Sequence, residues 1–127
     1  MDQQGMWETM DRTLSVKLDD LRAASVARAR LLADPGLPML DGGQQATLAA
    51  LGVEVDRHAD GVLRAAADAE RHPTEQAILY ALVSTMRTMS ETPHNPRLES
   101  TVNAQFVAAR RQLRLLDRRR KRDTAAG

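Results

Sequence analysis

Eight basic residues fall between Arg110 and Arg122: Arg110, Arg111, Arg114, Arg118, Arg119, Arg120, Lys121 and Arg122. Only Asp117 and the adjoining Asp123 oppose them, so the segment carries a net charge of about +6. The whole chain of 127 residues is +1, from 18 Lys+Arg and 17 Asp+Glu, which leaves about −5 on residues 1–109. A row of guanidinium groups can displace counterions from phosphates and so bind nucleic acid in a salt-dependent way. Other roles suit the same residues. Cations near a helix C-terminus complement its dipole. Of the 18 basic residues 16 are Arg, so a general bias toward Arg would also produce such a run. An intramolecular charge partner, an acidic protein or an anionic membrane surface would fit as well. No aromatic residue lies in the segment, which counts against stacking on single-stranded bases.

A second pattern is Arg87 and His94, with six residues between them. It resembles the R-x(4–6)-H motif of helical-bundle ribonucleases of the HEPN superfamily. The resemblance implies metal-independent RNA cleavage, with Arg87 stabilising phosphate charge and His94 moving protons. It covers two residues only, with Thr88 after Arg87 and Pro93 before His94. The other histidines invite a metal check, because helical sites need ligands three or four residues apart on one face. Glu54 and His58 are so spaced, as are Asp68 and His72, yet neither pair is joined by a second carboxylate–histidine pair. The Glu-x-x-His at Glu91–His94 contains a proline and falls in a loop. A di-iron bundle is therefore disfavoured and no metal site is expected. His58 flanks an apolar stripe and reads as a partly buried, hydrogen-bonded side chain.

Other catalytic signatures are missing. The sequence contains no G-x-G-x-x-G, Walker A or G-x-S-x-G pattern. Gly42-Gly43 lacks the lysine and preceding strand of a phosphate loop. With no cysteine, disulfides, thiolate metal sites and Cys nucleophiles are excluded. No cofactor is expected. Met86 and Met89 read as gap-filling core, or alternatively as part of a pliable groove for a partner helix.

The elements that would position these residues read as helices. Aromatics amount to 2% of the chain, so the core must be aliphatic. Ala and Leu far outnumber the β-branched Val and Ile, and no segment alternates apolar and polar over strand length. The pattern predicts an all-α fold with four helices. The first runs from Trp7 or Thr13 to Ala33, with Trp7, Met10, Leu14, Leu18, Leu21, Ser25 and Leu32 on one stripe. Asp34-Pro35-Gly36 stops it. In the connector that follows, Leu37, Met39 and Leu40 are expected to fold over the bundle end. The second helix runs from Gln44 to Arg71 with Leu48, Leu51, Val55, Ala59, Val62, Ala66 and Ala69 inward. Gly52 and Gly61 lie inside it, marking close packing or a kink, with a break as the alternative. The third opens at Pro73-Thr74 with Thr74 as N-cap, and it ends near Ser90. Ile78, Leu79, Ala81, Leu82, Val83, Met86 and Met89 make it apolar nearly all round, hence central. The fourth starts with Asn95 as N-cap and Pro96 at its first position. It extends to Arg120 or beyond, with Leu98, Val102, Phe106, Ala109, Leu113 and Leu116 in a stripe.

The resulting expectation is a four-helix bundle or two packed αα-hairpins, with a long C-terminal helix whose end projects. Residues 1–117 would form one domain, and 118–127 a basic helix end with a frayed tail. The polar first residues lack a secretory signal pattern, and the longest apolar run, Ala77–Val83, is too short to span a bilayer, so a cytoplasmic protein is expected. Absence of catalytic patterns and long striped helices point to a non-enzymatic interaction protein: an adaptor, assembly factor or export-type chaperone, with a protein partner or a second copy. Its candidate contact residues are Met86, Met89, Leu98, Val102, Phe106, Leu113 and Leu116. The alternative is a nucleic-acid-binding accessory protein using Arg110–Arg122.

Overall fold

The computed structural model describes the backbone at 2–34, 42–67 and 72–126, and the side chains of those residues except 2–12, 120, 121 and 123–126. Within that range the chain is all-α. Helix α1 spans Asp2–Leu32, α2 Gly42–Ala66, α3 Pro73–Ser90 and α4 Pro96–Ala126. The connector residues Leu37, Met39 and Leu40, and the stripe positions Trp7, Met10 and Ala69, lie outside the described side chains.

The stripes close on one aliphatic core. Leu18, Leu21 and Ala29 enter it from α1, and Val55, Ala59, Val62 and Ala66 from α2. Leu79, Leu82, Val83, Met86 and Met89 come from α3, and Val102 and Phe106 from α4. The alanines on α2 let backbones approach closely, and the single aromatic ring fills the α4 side. Helix α3 packs against all three of the others, while α1 and α2 also pack on each other. It is therefore central, but not apolar all round: Tyr80 and Ala81 face solvent.

Helix α2 is continuous through both glycines. A methyl group at Gly52 would meet Arg28 Nε at 3.3 Å, whereas one at Gly61 would reach only Lys17 Cδ at 3.9 Å. Gly52 is thus the close-packing glycine. It leaves room for Arg28, whose Nη1 donates to the Ser90 carbonyl at 2.8 Å.

The N-cap of α3 differs from expectation. His72, not Thr74, occupies it, and its Nδ1 accepts from the Thr74 backbone N–H at 3.1 Å. Pro73 takes the first helical position because its missing N–H would have gone unpaired there anyway. That choice moves the cap one residue upstream of the proline. At α4 the same arrangement matches the sequence reading, with Asn95 Oδ1 accepting from the Arg97 N–H at 2.8 Å.

Between α3 and α4 the turn is fastened to α1. The His94 N–H donates to the Ala29 carbonyl at 2.9 Å. The His94 ring is hydrogen-bonded to Glu99, and Arg30 lies 3.7 Å from the same carboxylate. No helix among the described residues is long and apolar enough to cross a membrane.

Candidate functional site

Helix α4 has two faces with opposite fates. On one, Val102 and Phe106 are buried, Leu98 and Leu113 pack against the core, Leu116 is half-buried, and Asp117 is buried. Asp117 also has an interaction partner. On the other face Arg111, Arg114, Leu115, Arg118, Arg119 and Arg122 are exposed. At 3.6 residues per turn, Arg111, Arg118 and Arg122 project within about 40° of one another, with Arg114 and Arg119 to either side. Nearer the helix N-terminus the same face carries Ala104, Val107 and Ala108, with Arg97 in the first turn.

Most of the described arginines fall into two groups by pairing; Arg64 on α2 and Arg97 near the start of α4 are also exposed, without an ion pair among the described residues. Arg22, Arg30, Arg57 and Arg87 have carboxylate partners within the fold, and Arg28 holds a backbone carbonyl. Arg110 belongs with them. Its Nη1 lies 3.0 Å from Asp19, its Nη2 donates to the Ser15 hydroxyl, and its guanidinium sits 5.5 Å from the Phe106 ring centre. Arg22 covers that ring from 4.6 Å and lies 3.6 Å from the same Asp19. Arg110 follows Phe106 by four residues, so helical phase places it on the inner face. The exposed group, Arg111, Arg114, Arg118, Arg119 and Arg122, has no ion-pair partner among the described residues. The side chains of Arg120 and Lys121 lie outside them.

The two ends of the Arg87–His94 pattern have different partners. Arg87 reaches across to Asp56 on α2 at 3.3 Å. His94 is held by Glu99 on α4 and by the α1 backbone. Neither lines the groove between α1 and α4, whose walls include Arg22, Val26, Arg30, Glu99 and Asn103. Glu99 has its carboxyl pKa lowered, chiefly by the hydrogen bond from His94, which outweighs the opposing effect of burial, with the charges of His94 and Arg30 adding to the lowering. His58 is half-buried with Nε2 3.4 Å from Glu54, a local pair with no third ligand. Among the described residues no three His, Asp or Glu side chains converge as metal ligands would.

The apolar contact residues expected from the sequence have mostly been used by the fold. Met86, Met89, Val102 and Phe106 are buried in the chain's own core, and Leu98 and Leu113 line its edge. Exposed large apolar side chains are Val16, Val53, Tyr80, Val107 and Leu115, scattered over four helices. No protein-family model, curated protein or solved structure matches this sequence.

Proposed function

We propose that this chain is a non-enzymatic helical interaction protein that engages a polyanionic partner through the outer face of α4. The observation that carries the reading is the contrast just drawn. Arg22, Arg28, Arg30, Arg57, Arg87 and Arg110 are matched to carboxylates or a carbonyl, whereas five arginines clustered along one face of α4 are exposed and have no ion-pair partner among the described residues. A solvated helix end needs no such segregation, and dipole complementation acts only within the last turn. Arg111 lies several turns before Ala126 and gains nothing from that effect. Burial of Met86, Met89, Val102 and Phe106 removes the apolar surface that an adaptor reading would use.

The test is retention on an immobilised sulfated polysaccharide. Wild-type chain should elute at clearly higher salt than the triple variant Arg111→Glu/Arg118→Glu/Arg122→Glu. These side chains are exposed and make no hydrogen bond or ion pair among the described residues, so circular dichroism should show both folded. Co-elution of the two folded proteins would refute the reading.

A further inference from the structure

We infer that the polyanion is duplex nucleic acid, held through its phosphates without base readout; this rests on the proposed role of α4. Three observations narrow the partner. First, the exposed arginines span about 16 Å from Arg111 to Arg122 on a rigid helix, given 1.5 Å per residue. A duplex presents one charge per roughly 1.7 Å of axis, about ten phosphate charges over that length, and is as stiff as the helix. The major groove also admits an α-helix.

Second, among the described residues the face offers no ring on which an unpaired base could stack. Phe106 is buried beneath Arg22 and Arg110, and Tyr80 is on α3. Single-strand binders obtain much of their affinity from such stacking. Between Arg111 and Arg122 the helix carries no Asn and, of Gln, Gln112 alone, so few side chains that commonly read adenine edges stand among the arginines. Third, the apolar content of this face is limited to Val107, Leu115 and alanines. That is little for a protein interface, whose energy concentrates in buried aromatic anchors. A second copy laid symmetrically on this face would oppose arginine with arginine.

The experiment is fluorescence anisotropy with the full chain and a labelled DNA duplex about two helical turns long. Probes run in parallel are a single strand of equal length, a polyglutamate peptide, and vesicles of phosphatidylserine in phosphatidylcholine. The duplex should bind most tightly, and two duplexes of unrelated sequence should bind alike. With four to five phosphate contacts, log K against log salt should have a slope of about −4, a loss of roughly 250-fold between 50 and 200 mM salt. Arg118→Ala/Arg122→Ala should flatten that slope by about 2. Equal or tighter binding to the single strand overturns the inference, as does preference for polyglutamate or vesicles. An unchanged slope in the double variant overturns it too. If the polysaccharide column retains the chain but duplex fails to bind, only this inference falls. If neither binds, the role of α4 falls with it.

Discussion

Arg110 and Arg111 are neighbours in sequence and identical in chemistry, yet the structure assigns them opposite roles. Replacing each with alanine separates those roles. Arg110→Ala removes an ion pair to the half-exposed Asp19, which at such exposure is about 0.5–1 kcal/mol. It removes the hydrogen bond to Ser15, about 1 kcal/mol. It also uncovers one edge of Phe106, losing about 0.5–1 kcal/mol of cation–π attraction. The sum is about 2–3 kcal/mol. Arg111→Ala removes an exposed side chain without a partner and should stay within about 0.5 kcal/mol of wild type. In urea the Arg110→Ala midpoint should fall by about 1–2 M, for a denaturant slope near 1.5–2 kcal/mol per molar. Polyanion affinity measured well below that midpoint should show the reverse order, weakened in Arg111→Ala and near wild type in Arg110→Ala. Equal urea midpoints for the two variants, or equal losses of affinity, would refute the division of α4 into an inner and an outer set of arginines.

Two further outcomes follow from local geometry. Gly61→Ala should stabilise by up to about 1 kcal/mol, because it gains helix propensity and meets nothing closer than Lys17 Cδ at 3.9 Å. Gly52→Ala should gain distinctly less, since its methyl displaces Arg28 at 3.3 Å; thermal melts that rank the two the other way contradict the packing described. Glu99 has a lowered folded-state pKa, so its ionised form contributes stability that is complete above its unfolded value and is lost as pH falls through the folded one. Glu99→Gln should therefore flatten the decline in urea midpoint on acidification below about pH 5, and an unaltered acid limb would show that the His94 and Arg30 contacts do not act on stability.

Much of the fold was legible because periodicity alone locates the core. Leu18, Leu21 and Ser25, then Val55, Ala59 and Val62, fall inward where spacing puts them. Asn95-Pro96 announced its cap, and His72-Pro73 carries the same signal. Histidine was passed over there because its Nδ1 caps less commonly than a threonine hydroxyl. The candidate site was legible only as a block. Counting charge from Arg110 to Arg122 finds a basic segment but treats its members as equivalent. Helical phase relative to Phe106 already sets Arg110 apart from Arg111. What phase cannot supply is that Asp19 and Ser15, over ninety residues earlier, wait opposite Arg110. That Met86, Met89, Val102 and Phe106 lie within the chain's own core was hidden for a related reason. A stripe shows that a face seeks cover, and here the cover is the chain's own α3.

The fastening of the α3–α4 turn to α1 bears on the order in which the chain can fold. The Ser90 carbonyl accepts from Arg28 across 62 residues, and the Ala29 carbonyl, besides its helical bond from Ala33, accepts from His94 across a slightly longer separation. An α3–α4 hairpin forming alone would leave the Ser90 carbonyl to water and its turn unsecured, while α1–α2 alone would leave Arg28 without its acceptor. Contacts of such sequence separation bring no reward until the loop-closure entropy has been met. The turn thus ties α1 to the α3–α4 half through contacts of long sequence separation, adding to the packing of α3 against α1 and α2.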